Sequence, residues 1–203
     1  MSGAPGPPPK PPSADDDAFK RELVALIPHL RAFARTLTGD PTAADDLAQD
    51  AMMKAWDARA SYQMGTNMKA WTFMILRNQF YSEKRRSWRQ TQLDQEAAER
   101  TLVAVDDPES PVALDELRLA LATLPEEQRE ALILVGAGGF AYEEAAEICQ
   151  CAVGTVKSRV SRARKALQAT LEKGGYARDG RAAGDAMRSI LAAADRLSGV
   201  RQG

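Results

Sequence analysis

Three observations predict an all-α fold made of two small helical domains joined by a flexible linker. Apolar residues recur at steps of three and four over most of the chain. No segment shows convincing period-two alternation, so no sheet is expected. One polar, acidic stretch near the middle, residues 90–112, carries no core pattern and holds Asp106-Asp107-Pro108 and Pro111 as breakers. A length of 203 residues suffices for two such domains.

The elements follow in order. Six of the 11 prolines fall in the first 12 residues, so 1–14 reads as a disordered or polyproline-like tail. Phe19, Leu23, Leu26, Leu30, Phe33 and Leu37 then mark one face of a helix, which Pro28 should kink or split and Gly39-Asp40-Pro41 should end. Thr42 followed by Asp45 resembles a capping box for the next helix. That helix carries Ala44, Leu47, Ala48, Ala51 and Ala55 on one face and Asp45, Asp46, Gln49 and Asp50 on an adjacent polar one. A loop near 61–67 leads to a third helix, roughly 68–87, and the first domain is placed at 15–89.

Helical patterning resumes at Leu114, Leu117, Leu121 and Leu124, opening a second domain at 113–172. Pro125-Glu126-Glu127 is a helix start, and the glycines from Gly136 to Gly139 end that helix. A short helix over about 142–149, a tight turn and a long basic helix over about 154–171 complete the domain. The extension 173–203 has one helical pattern, through Met187, Ile190, Leu191, Ala194 and Leu197, and no function legible in it.

Charge is distributed unevenly behind a net value of −1. Residues 67–93 hold 6 basic and 1 acidic side chain, residues 94–152 hold 3 and 14, and residues 153–171 hold 5 and 0. Two basic blocks separated by an acidic one suit a nucleic-acid ligand in a way the total conceals. The acidic stretch is assigned mainly to the linker and to faces away from DNA. The small total implies modest non-specific attraction to DNA.

Other classes are excluded. No apolar run approaches the roughly 18 residues of a membrane span, and the N-terminus lacks a secretory signal, so a cytoplasmic protein with no membrane partner is expected. Cys149 and Cys151, the only cysteines, are too close in sequence for a mutual disulfide and too few for a zinc site. They read as buried small hydrophobes. The single histidine, His29, is given no role. No phosphate loop, nucleophile triad or metal cluster is present, so no catalytic residue, metal or cofactor is expected and the protein is read as no enzyme.

The strongest motif is AYEEAAEICQCAVGTVKSRVSRARKAL, residues 141–167. Two helices joined by a tight turn, with small Ala146 at their crossing and a core of Cys149, Cys151, Val156 and Val160, make a helix-turn-helix. The second helix projects Lys157, Arg159, Arg162, Arg164 and Lys165, as a major-groove reader does, where Arg pairs with guanine and other cations meet phosphate. A solvated basic face is the plainer reading of the same residues. In the other basic block, Trp71, Phe73, Phe80, Tyr81 and Trp88 interleave with Arg77, Lys84, Arg85, Arg86 and Arg89. Cations with aromatics suit partly single-stranded DNA, although Trp71 and Phe73 read as core.

Residues 141–167 resemble region 4 of a bacterial sigma factor of the extracytoplasmic-function (ECF) type. ADDLAQDAMMKAWDAR (44–59) and MKAWTFMILRNQFYSEKRR (68–86) resemble region 2 of the same family. GAGGFAYEEAAEICQCAVGTVKSR (136–159) is similar to the alphaproteobacterial general-stress-response group. The likeness covers about 17–171. It implies an alternative sigma factor that binds core RNA polymerase and directs promoter-specific initiation of stress genes.

By the same resemblance, Thr155, Lys157, Ser158, Arg159, Ser161, Arg162 and Lys165 would read the −35 element. Asn78, Tyr81, Lys84, Arg85 and Arg86 would capture the melted −10 element. Asp45, Asp46, Gln49 and Asp50 would dock on a coiled coil of the polymerase β′ subunit, with the β subunit a further contact. A small NepR-like anti-sigma factor, removed by a phosphorylated response regulator, would hold the protein inactive across both domains, between which the linker permits rearrangement. Where the family has Gly in the helix-turn-helix turn this chain has Gln150, at a cost of roughly 1–2 kcal/mol if that position is left-handed.

Two other classes compete. A sigma-like decoy that titrates an anti-sigma factor would carry a receiver domain, for which the 32 residues after Leu171 are too few. A stand-alone helix-turn-helix regulator would leave the first domain unexplained.

Overall fold

The computed structural model describes residues 14–93 and 120–172, and among these no strand occurs. The linker expected at 90–112 lies almost entirely outside them, as do the proline-rich start and the 173–203 extension.

Helix α1, Ala14–Ala25, and helix α2, Ile27–Thr38, form where one interrupted helix was expected. The break falls at Leu26, so Pro28 lies in the first turn of α2, where its missing N–H costs nothing. Gly39 ends α2 in the left-handed conformation, φ 73°, donating its N–H to the Arg35 carbonyl at 3.0 Å. Helix α3, Pro41–Asp57, corrects the expected cap. Pro41 opens the helix and Asp40 is the N-cap, its Oδ1 accepting from the Ala43 N–H at 2.7 Å. Asp45 turns to Arg31 instead, 3.1 Å from its Nε.

A 3-10 turn at Arg59–Ser61 and a short loop lead to α4, Met68–Leu93. The Asn67 side chain starts α4 by accepting from the Ala70 N–H at 3.0 Å. The helix runs six residues beyond the expected end, because no breaker lies between Ser87 and Leu93. After a helical turn at 120–122 come α5, Glu126–Gly136, α6, Tyr142–Cys149, and α7, Val153–Glu172.

Two apolar clusters hold these helices. The smaller gathers Phe19, Leu23, Ala55, Tyr62 and Met68, with Trp56 and Trp71 against it. The larger runs without a break from Leu30, Phe33 and Leu37 through Phe73 and Leu76 to Leu132, Leu134, Ile148, Val156 and Leu167. It therefore joins the two expected domains. Phe33 stacks on Phe73 at 4.9 Å, and Phe73 meets Phe140 edge-on at 5.0 Å. Gly138 permits that approach, since a Cβ there would stand 2.6 Å from the Leu134 carbonyl oxygen and 2.9 Å from the Phe140 ring.

Candidate nucleic-acid interface

The helix-turn-helix is α6, the turn and α7. Ala145, Ala146, Ile148 and Cys149 face inward from α6; Val156, Val160, Ala163 and Leu167 do so from α7. The 3.6-residue period then places Lys157, Ser161, Arg162 and Lys165 on the exposed face. Thr155, Ser158 and Arg159 are half-buried beside it. Arg162 is braced within its own helix, donating from Nη2 to Ser158 Oγ at 3.0 Å and from Nε to the Ser158 carbonyl at 3.3 Å. The Lys157 ammonium stands 5.7 Å from the Tyr142 ring centroid.

The turn is left-handed at Gln150, φ 52°, ψ 46°, the non-glycine positive-φ position among the described residues. Two bonds close it, from the Gln150 N–H to the Glu147 carbonyl at 3.2 Å and from the Cys151 N–H to the Ala146 carbonyl at 3.1 Å. Cys149 is buried as expected, and burial followed by the nearby Glu130 charge pushes its thiol up to about 12. It stays protonated and unreactive. Cys151 is half-buried and accepts a weak contact from Arg159 Nη1 at 3.6 Å.

On α4, Asn78, Lys84, Arg85 and Arg86 are exposed and Tyr81 is half-buried. Trp88 is 65% exposed beside them. On α3, Asp46, Gln49 and Asp50 are exposed beside Met53, which is 58% exposed, while Asp45 is half-covered by its pair with Arg31. Each expected set thus lies along a single helix, α7, α4 or α3, with exposed and half-buried members in each.

What sequence reasoning missed is the closure between the two domains. Glu130 of α5 is 0% exposed, and its Oε1 takes the Arg77 Nε–H at 2.6 Å. The Tyr81 hydroxyl donates to its other oxygen at 3.3 Å, and the Arg77 guanidinium lies 4.5 Å from the Tyr81 ring. Glu126 pairs with Lys84; within the second domain, Glu127 meets Arg159 Nη2 at 2.5 Å. Further along, the Asn67 amide donates to Glu144 at 2.7 Å, and Lys69 donates to the Gly138 carbonyl at 2.7 Å.

Burial sets the ionisation of this seam. It raises the Glu130 carboxyl above the usual carboxylate range, against the pull of Arg77. It also raises the Tyr81 phenol, with the Glu130 charge adding to it, and lowers the Lys69 ammonium. For Arg77, burial works downward, yet the Glu130 charge and hydrogen bond outweigh it and the guanidinium stays charged. An available signal was the burial pattern itself: Glu130 sits directly before the apolar run Ala131–Val135, where a charge needs a partner.

No helix among the described residues is long and apolar enough to cross a membrane. Residues 23–90 match the family model for sigma-70 region 2, and residues 114–167 that for sigma-70 region 4. The chain is 46% identical over 155 residues to the ECF RNA polymerase sigma factor EcfG of Rhodopseudomonas palustris (strain TIE-1), covering 76% of this chain and 86% of that protein. It is 33% identical over 135 residues to the ECF RNA polymerase sigma-E factor of Escherichia coli (strain K12), covering 60% and 70% respectively. Among solved structures it is similar to the sigma factor RpoE in complex with the anti-sigma factor NepR from Bartonella quintana, with 47% identity, a TM-score of 0.70, and 77% of this chain and 98% of that one covered. With both regions matched in order on helices that carry the corresponding cationic faces, the chain belongs to the sigma-70 family as an alternative RNA polymerase sigma factor of the ECF type.

Proposed function

We propose that this sigma factor directs core polymerase to general-stress promoters by dividing the work between its two cationic faces. The exposed row Lys157, Ser161, Arg162 and Lys165, fixed on a buried core, carries the reading. With Thr155, Ser158 and Arg159 it reads the −35 element as duplex. Asn78, Tyr81, Lys84, Arg85 and Arg86 capture the melted −10 strand, where aromatics and cations serve unstacked bases and phosphates. Asp46, Gln49 and Asp50, with Asp45 at the edge, dock on the polymerase β′ subunit, and complementary charge there speeds association. The domain limits 15–89 and 113–172 follow from this division. The polymerase supplies the catalysis, so the protein works in the cytoplasm without a cofactor of its own.

Stress assignment rests on the likeness to EcfG. A small NepR-like anti-sigma partner rests on the solved complex of the similar RpoE. Run-off transcription with purified core enzyme tests the reading. Promoter-dependent product from stress-type promoters is expected; none from any such promoter would overturn it.

A further inference from the structure

Arg159 and Arg162 both belong to the α7 set assigned to the −35 duplex, and they are held differently. Arg162 is braced by Ser158 of its own helix. Arg159 is braced from outside it. Its Nη2 donates to Glu127 of α5 at 2.5 Å, and its Nη1 reaches Cys151 Sγ in the turn at 3.6 Å. The Arg159 side chain is 16% exposed and that of Glu127 is 63% exposed. The guanidinium therefore stands at the rim of the reading face, with its carboxylate partner open to solvent beside it. Helices α5 and α7 pack on each other over a shared core, which fixes where Glu127 stands relative to α7.

The first turn of a helix suits an acid, which accounts for a carboxylate at 127 but not for its bond to Arg159. A pair this open to solvent adds little stability. Beside DNA a carboxylate also faces phosphates, which lowers affinity. What the pair supplies is orientation. An unbraced arginine spreads over many rotamers, and fixing it before the DNA arrives reduces the entropy lost on contact. A guanidinium held in one plane offers its remaining N–H groups to the O6 and N7 acceptors of a guanine, whereas a mobile one pairs with any phosphate in reach. Thr155, Arg159 and Arg162 follow one another at steps of four and three, so the fixed side chain extends a single stripe of α7.

We infer that Glu127 is a positioning residue for −35 reading: it aims Arg159 at a base and so raises discrimination between promoter and other DNA. The inference rests on the −35 role of α7 proposed above. Glu127 acts through Arg159. Its own charge repels phosphates of every sequence alike, which lowers affinity without changing discrimination.

The test uses holoenzyme assembled from core polymerase and each full-length variant. Two labelled duplexes are titrated: a fragment active in the run-off assay, and the same fragment with its −35 element scrambled. The readout is the ratio of the two affinities. E127Q is expected to lower that ratio by about threefold or more, through weaker promoter binding with scrambled binding equal or tighter. E147Q removes an exposed carboxylate of α6 and controls for charge, and its ratio is expected to stay within about twofold of the unaltered protein. R159A is expected to lower the ratio, and E127Q/R159A to match R159A alone, because Glu127 then has nothing to aim. An unchanged ratio in E127Q, an equal gain on both duplexes, an equal fall in E147Q, or a further fall from R159A to the double variant overturns the inference. The urea midpoint of E127Q is expected to be unchanged; a ratio that falls only together with the midpoint makes the pair structural and overturns it as well. Equal binding of both duplexes by the unaltered protein would fail the −35 reading itself, whereas a ratio that R159A lowers and E127Q does not fails the inference alone.

Discussion

The two basic helices differ in how they are held. Helix α7 carries its cations on one side and a row of fully buried residues, Val156, Val160, Ala163 and Leu167, on the other. Helix α4 has a buried side only through Leu76, and from Glu83 to Arg89 every residue is exposed. A rigid row suits the fixed spacing of a duplex groove. A helix end open on all sides, with Trp88 and four cations around it, suits a single strand whose bases have no fixed position. Physical support, more than charge, separates the two helices.

The largest effect to expect is on the support itself. Leu132→Ala removes a fully buried side chain from the core that backs α7, and a loss of about 2–5 kcal/mol in urea unfolding is expected. Trp88→Ala should stay within about 0.5 kcal/mol in the same experiment. Equal losses would break the distinction between a supported and an unsupported helix.

Function should divide the other way. Trp88→Ala is expected to weaken binding to single-stranded −10 DNA by about 1–3 kcal/mol, the usual worth of base stacking, and to leave duplex −35 binding unchanged. Arg162→Ala should weaken −35 binding by about 1–3 kcal/mol if it reads a base, and unequally across promoter sequences. A uniform loss together with a shallower salt dependence would make Arg162 a phosphate contact. Both are measured by titration of labelled DNA with the polymerase holoenzyme.

Local features of this molecule were legible in the sequence wherever one residue decides them. Pro28 and Gly39 break helices through their own backbone chemistry, and Gly138-Gly139 mark the gap before the 142–149 helix. The cap of α3 was less legible, because Pro41 fixed the first helical position and shifted the cap from Thr42 to Asp40. The closure was hidden for a different reason. Glu130 and Arg77 lie 53 positions apart, and Glu126 and Lys84 lie 42 apart. Counting charge by segment assigned the acidic stretch mainly to linker and non-DNA faces, and could not show that three glutamates of α5 pair with Arg77, Lys84 and Arg159. Segment totals carry no information about which distant segment will be the partner.

The smallest expected effect lies at the turn that aims α7. Gln150 sits at φ 52°, a conformation that costs an L-residue roughly 1–2 kcal/mol, and its side chain is exposed, so packing does not compensate. Glycine adopts this region without the steric cost but adds freedom to the unfolded chain, which offsets part of the gain. Gln150→Gly is therefore expected to stabilise the protein by about 0.5–1 kcal/mol, read as a higher urea midpoint with unchanged slope. The Gln150 and Cys151 N–H bonds to α6 remain, so α7 keeps its aim and −35 affinity should not change. A gain in stability accompanied by altered −35 affinity would mean that the strained turn positions the reading helix as well as connecting it. The contrast between α7 and α4 would then extend from the core beneath the helix to the turn at its start.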